Sequence, residues 1–157
     1  MTVMPSISLT AAGSGRRYAL HRLGVPLVLL FFWLDSAGQA PQVNRDIRKQ
    51  YPRSEQVVVA NIADLRGVPG LLHGFADREL RKAYKQASTL LSPEHAPEDY
   101  VVILPDWKGQ TLRALGIRNV EKAPAVAVLD QEASLVGVYQ GQELAPAALE
   151  LLARVAS

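Results

Sequence analysis

The sequence predicts an α/β fold, a mixed central sheet flanked by helices, and three observations carry that prediction. A continuous apolar run from Val25 to Trp33 is followed by apolar residues at helical spacing and then by a second apolar run, Gln56 to Ile62. Strand, helix, strand in that order requires parallel pairing with a right-handed crossover. The last third reads as two strands joined by a short turn and closed by an amphipathic helix. With 157 residues the chain is long enough for one core and too short for two ordinary domains, so residues 1–157 are read as one domain.

Taken in order, Met1 to Gly15 is small and polar with one alternation, Ser6-Ile7-Ser8-Leu9, which suggests a short edge strand and a glycine-containing turn. Val25 to Trp33, partly β-branched and aromatic, fits a strand buried on both faces and is the central strand. The loop Asp35 to Pro41 turns into a helix, with Asp35 or Ser36 available as its cap. Val43, Ile47 and Tyr51 form that helix's apolar stripe, and Pro52 stops it. After the second strand, glycines from Gly67 to Gly74 mark a loop. A further helix is expected from Asp77, its cap, to Leu91, with Leu80, Ala83, Tyr84 and Ala87 between them at helical spacing. Asp99 to Leu104 is expected as a third strand, Pro105 to Gly109 as a turn, and Gln110 to Leu115 as a short helix capped by Gly116. Pro124 to Leu129 and Leu135 to Tyr139 form the hairpin, and Leu144 to Val155 the closing helix.

The chain contains no cysteine, which removes disulfides, thiolate nucleophiles, zinc-cysteine sites and iron-sulfur clusters together. Formal net charge is only +2, and no long Lys/Arg run is present, so nucleic acid is not an expected partner. Arg16, Arg17, His21 and Arg22 precede the apolar stretch Leu23 to Leu34, and small residues follow from Ser36 to Ala40. That is roughly the layout of a twin-arginine export signal. Pro26 interrupts the apolar run, however, and Pro41 follows Ala40; processing there would remove the best strand. A cytoplasmic chain is therefore the expectation, with export through this segment as the alternative. The run is also too short to span a membrane, which takes about 20 apolar residues.

Two motifs carry a resemblance to the thioredoxin-like superfamily. Phe32-Trp33-Leu34-Asp35-Ser36-Ala37-Gly38-Gln39-Ala40 resembles the signature in which Phe-Trp precedes Trp-Cys-Gly-Pro-Cys at the end of the first central strand. In that alignment Ala37 and Ala40 stand at the two cysteine positions, with Gly38 and Gln39 between them. The segment Gly116 to Pro124 is similar to the one leading into the family's cis-proline, so Pro124 matches that proline. The resemblance implies that Ala123 pairs through its backbone with an extended substrate chain. Gly141 falls where the family has a glycine at the end of the hairpin. The likeness covers roughly residues 24–157, with an inserted helix at 76–92, and is closest to the redoxin or peroxiredoxin-like (AhpC/TSA) branch. The N-terminal segment, residues 1–23, matches the extra hairpin of redoxins.

The departures are chemical. Alanine has neither a nucleophile nor a titratable group, so thiol exchange at Ala37 and Ala40 is impossible. Phe31 lies where thioredoxin proper keeps a buried acid, and the peroxidatic cysteine of peroxiredoxins is missing as well. The resemblance then implies a redox-inactive protein- or peptide-binding module, with Trp33, Gly38, Gln39, Ala123, Pro124 and Gly141 forming its groove. The alternative is a thiol-disulfide oxidoreductase or peroxiredoxin-like antioxidant enzyme whose cysteines were replaced by alanine. A purely structural or oligomerisation role is a third class.

Other chemistry finds little support. Ser36 beside Asp35 has no histidine near it in sequence and reads as a cap rather than a nucleophile. His21, His73 and His95 lack ligand spacing, so no metal or other cofactor is expected. Arg78, Arg81, Lys82 and Lys85 on one helix, and Arg45, Arg48, Lys49 and Arg53 about the other, read as solvated faces without interleaved aromatics. Gly67-Val68-Pro69-Gly70 matches no phosphate-binding loop, and Trp107 reads as a turn tryptophan folded over the core.

Overall fold

Apolar patterning and pairing agree through most of the chain. The computed structural model describes residues 2–33 and 36–156. Strands β1 (Ser8–Thr10) and β2 (Arg17–Ala19) pair antiparallel with Leu9 opposite Tyr18, both buried. Gly13 and Gly15 turn the chain between them at φ +83° and +73°, a region that favours glycine. Arg16 of the leader-like arginine pair bonds Asp99 at 2.5 Å, and Arg17 donates to the Thr10 hydroxyl at 3.3 Å.

The six residues of β3 (Leu27–Phe32) are all buried. Helix α1 (Ala40–Gln50) leads on to β4 (Val58–Asp64), which lies parallel to β3 with Leu27 opposite Val58. Strand β5 (Ile103–Asp106) extends the sheet parallel to β4, while β6 (Ala125–Leu129) pairs antiparallel with the other side of β3 and β7 (Leu135–Gln140) antiparallel with β6. The order is β5-β4-β3-β6-β7. Because side chains alternate along a strand, β3 feeds two core layers. Leu27, Leu29 and Phe31 pack with Leu9, Tyr18 and Leu20 from the N-terminal hairpin and with Leu112 and Leu115. Val28, Leu30 and Phe32 pack against Val43 and Ile47 of α1 and Leu144, Ala148 and Leu152 of α5 (Leu144–Leu152).

Several boundaries differ from the expectation. The second long helix, α2 (His73–Thr89), follows a 3-10 turn at Gly70–Leu72 and begins four residues before Asp77. Asp77 is therefore inside the helix, bonded to Arg81 at 3.1 Å, and is not its cap. None of its residues is fully buried. Asp99 and Tyr100 belong to a helical turn, α3 (Pro97–Tyr100), with proline in its first turn. The strand that follows begins later than expected and runs through Pro105, which an edge strand tolerates because one side of it has no ladder partner. Helix α4 (Gln110–Leu115) ends as expected at Gly116, φ +69°.

Arg48 is not a solvated charge. Its Nη1 donates to the carbonyls of Tyr51, Arg53 and Val57 at 3.2, 3.2 and 2.9 Å, and its guanidinium lies 5.0 Å from the Tyr100 ring centre. Burial lowers its pKa below the usual guanidinium range. The side chain clasps the end of α1 to the start of β4. Among the described residues, no helix is long and apolar enough to cross a membrane.

Candidate functional site

Strands β3, β4 and β5 run parallel, so their carboxyl ends share one edge of the sheet. Strand β6 starts at that edge and β7 finishes there, with Ala125 opposite both Phe31 and Gln140. The topology therefore gathers Trp33, residues 36–40, Arg66, Trp107, Ala123-Pro124 and Gly141 at one end of the molecule, the end where open α/β sheets place ligands.

The turn after β3 is built from its own backbone. Ala37–Gln39 is a 3-10 turn, and Ala40 opens α1 with Pro41 in the first helical turn, where the missing N–H costs nothing. The Ser36 hydroxyl accepts the Trp33 N–H at 3.0 Å and donates to the Trp33 carbonyl at 3.2 Å. It makes no side-chain cap to the helical turn it precedes, which corrects the expected cap. The hydroxyl is satisfied locally by folding back on the strand end, a competition typical of serine. Asp35, the other expected cap, lies outside the described residues. Ala37 and Gly38 are exposed, and a Cβ at Gly38 would meet nothing within 4 Å, so this side is open. Trp33 is 36% exposed. Gln39 reaches across, its Nε2 donating to Oε1 of Gln142 at 3.3 Å.

Beside this turn, the approach to β6 is held from within. Asn119 adopts φ +56°, and the N–H of Lys122 and that of Ala123 both donate to its carbonyl, at 2.9 and 3.4 Å. The Gln140 Nε2 donates to the carbonyls of Arg118, Asn119 and Ala123 at 2.6, 3.4 and 3.0 Å. Gly141 N–H donates to the Pro124 carbonyl at 3.0 Å. Two expectations change here. No cis peptide bond occurs among the described residues, so Pro124 follows a trans bond, the form X–Pro favours by about 0.5–1 kcal/mol when no turn demands the other. Moreover, both backbone groups of Ala123, expected to face a substrate chain, are already bonded internally. No sequence motif marks Gln140 for this role. A polar residue closing an otherwise apolar strand was its only signal.

At the neighbouring strand ends, Asp106 is fully buried and accepts the N–H of Gln110 at 3.0 Å and the N–H and hydroxyl of Thr111 at 2.9 and 2.5 Å. It thus satisfies the first orphan donors of α4. Asp64 takes Arg66 in a two-point fork, Nε at 2.9 Å and Nη2 at 2.8 Å, and that bond raises the Arg66 pKa above the usual range. The histidines are dispersed: His73 stacks on the half-buried Trp107 with ring centres 4.2 Å apart, and His95 on Tyr100 at the same spacing. Among the described residues, no group of three His, Cys, Asp or Glu side chains is placed to hold a metal. The arrangement offers hydrogen bonding and apolar contact, with no sulfur nucleophile at the turn.

No protein-family model matches the chain, and no curated protein matches it. Solved structures do. The pneumococcal exposed lipoprotein thioredoxin of Streptococcus pneumoniae is 20% identical with a TM-score of 0.64, over 96% of this chain and 100% of that one. A thiol-disulfide oxidoreductase from Bacteroides fragilis is 17% identical at TM-score 0.62, over 96% and 99%. A thiol:disulfide interchange protein of the thioredoxin family from Chlorobium tepidum is 15% identical at 0.61, over 98% and 95%. The five-stranded mixed sheet and its flanking helices are shared with proteins named for thiol-disulfide chemistry, while this chain has no cysteine anywhere. The chain has a thioredoxin-like fold that lacks the thiols of that fold's oxidoreductases.

Proposed function

We propose that the chain is a redox-inactive, redoxin-type module that binds an extended peptide or a protein partner at the sheet end described above. Ala37 and Ala40 stand for the lost cysteine pair, and Trp33, Gly38, Gln39, Ala123, Pro124 and Gly141 border the groove. The observation that carries the reading is an open sheet end with no sulfur nucleophile: Ala37 and Gly38 are exposed beside an exposed Trp33. Trp33 supplies apolar area, and Gln39 and Gln142 supply polar groups that a partner's backbone can share. Strand pairing at Ala123 requires Gln140 to release its carbonyl, so binding there is coupled to a side-chain rearrangement. The test is an extended-peptide library screened against the full chain and against Ala123→Arg. Peptides retained by the native chain and lost by the folded variant support the groove, and identical retention overturns it.

A second reading, an oxidoreductase or peroxiredoxin-like antioxidant enzyme whose cysteines were replaced by alanine, is favoured by the names of the structural neighbours. Restoring both thiols in Ala37→Cys/Ala40→Cys and measuring disulfide reduction tests it. Activity in the double variant with none in the native chain supports this ancestry, whereas a folded, inactive double variant opposes it. We also assign residues 1–157 to one folding unit, with the N-terminal hairpin and α2 as its additions, and place it in the cytoplasm. Export through the N-terminal twin-arginine-like segment is the alternative; cleavage after Ala40 would remove β1, β2 and β3 together.

A further inference from the structure

A cleft of about 580 Å3 adjoins the proposed groove, and three arginines line it. Arg66 comes from just beyond β4, Arg113 from the last turn of α4, and Arg118 from the segment leading into β6; Asn119 and Glu121 complete that side. Two of the guanidinium groups are held in place. Arg66 is fixed by the Asp64 fork and lies so close over Gly109 that a Cβ there would sit 2.0 Å from its Cδ. Arg113 donates Nη1 to the Lys108 carbonyl at 2.5 Å. Arg118 enters none of the ion pairs among the described residues, and neither its N–H nor that of Asn119 donates to a backbone carbonyl there.

The lining sets three guanidinium groups against one carboxylate, Glu121; Asp64 is already bonded to Arg66, and Asp106 is buried with its oxygens taken by Gln110 and Thr111, so the face a ligand meets is cationic. A planar guanidinium fork matches a carboxylate's two oxygens. The cleft is joined to the groove by Gln140, whose Nε2 bridges the carbonyls of Arg118 and Ala123. We infer that the cleft binds a carboxylate and that the groove's partner is therefore an acidic peptide. The peptide half of this inference rests on the groove reading; the carboxylate half does not.

The test titrates the full chain with fluorescein-labelled Ala-Glu-Val-Glu-Val-Ala and with its Gln counterpart, and separately with glutarate followed by calorimetry. The Glu peptide is expected to bind roughly fivefold more tightly at low salt, the upper end for a solvent-exposed ion pair, with the preference shrinking as salt screens it. Arg118→Gln and Arg113→Gln are each expected to reduce that preference and weaken glutarate, and Glu121→Gln to tighten both. Equal affinity for the two peptides together with no glutarate binding overturns the cleft, as does a preference unchanged in the folded arginine variants. If Ala123→Arg leaves the Glu peptide bound while Arg118→Gln releases it, the carboxylate site stands and the groove reading fails. Binding of glutarate without either peptide likewise supports the anion site and overturns the acidic-peptide partner.

Discussion

Asp106 shows how a single buried acid fixes one corner of the site. Its carboxylate takes three donors from Gln110 and Thr111 and starts a helix only six residues long, too short to be stable without help. Asp106→Ala would leave those donors unpaired beside a fully buried position, and a loss of about 2 kcal/mol is expected from the cap and desolvation terms combined. Urea denaturation measures it; a midpoint unchanged from the native chain would show that the cap contributes nothing. Gln140 acts in the opposite sense, closing the site by occupying the Ala123 carbonyl. In Gln140→Ala the segment 118–123 is expected to open more readily, its amides exchanging about fivefold faster for each hydrogen bond worth about 1 kcal/mol. Extended peptides should bind more tightly to that variant. Neither residue's role was legible beforehand. Composition places Asp106 in a turn, and the three acceptors that Gln140 serves lie 17 to 22 positions away.

Elements were more legible than residues, because periodicity is local while partners are not. The all-apolar stretch around Leu29 reads as a doubly buried strand and is one, and Val43 and Ile47 mark the inner face of α1 as their spacing requires. Errors fell at ends. Residue type alone marks Asp77 and Ser36 as caps, yet Asp77 meets Arg81 and Ser36 meets Trp33, choices that depend on where the neighbouring backbone runs. Helix α2 also shows what periodicity does not report, since its stripe of Leu80, Tyr84 and Ala87 is only partly covered. The helix is anchored where the Tyr84 ring lies on Gly13, at a point too close to admit a Cβ. Elements with little buried apolar area open locally at free energies far below global unfolding. Native-state hydrogen exchange should therefore find α2 amides about a hundredfold less protected than those of α5, which buries Leu144, Ala148 and Leu152. Equal protection would mean that α2 unfolds only with the whole molecule.

At the scale of the whole molecule, β3 is both the centre of the sheet and the segment that imitates an export signal. Its hydropathy alone supports either role; its pairing shows what losing it would cost the sheet. Leu27 to Phe32 hydrogen-bonds to β4 on one side and β6 on the other, and its two faces supply both core layers. A chain beginning at Pro41 would leave β4 and β6 without their shared partner and strip each layer of the three side chains β3 supplies, with Leu9, Tyr18 and Leu20 of the N-terminal hairpin lost as well. Within the intact chain, truncating just one of these, Leu30→Ala, is expected to cost about 2–5 kcal/mol. Removing all six exceeds the 5–15 kcal/mol by which domains are ordinarily stable. Residues 41–157 expressed alone should thus show no cooperative thermal transition by circular dichroism, while the full chain shows one. A cooperative transition in the fragment would mean that the remaining strands close into another sheet, and it would reinstate processing after Ala40. Its absence would establish that the apolar run is kept for folding, and that the turn bearing Ala37 and Ala40 stays joined to the strand that presents it.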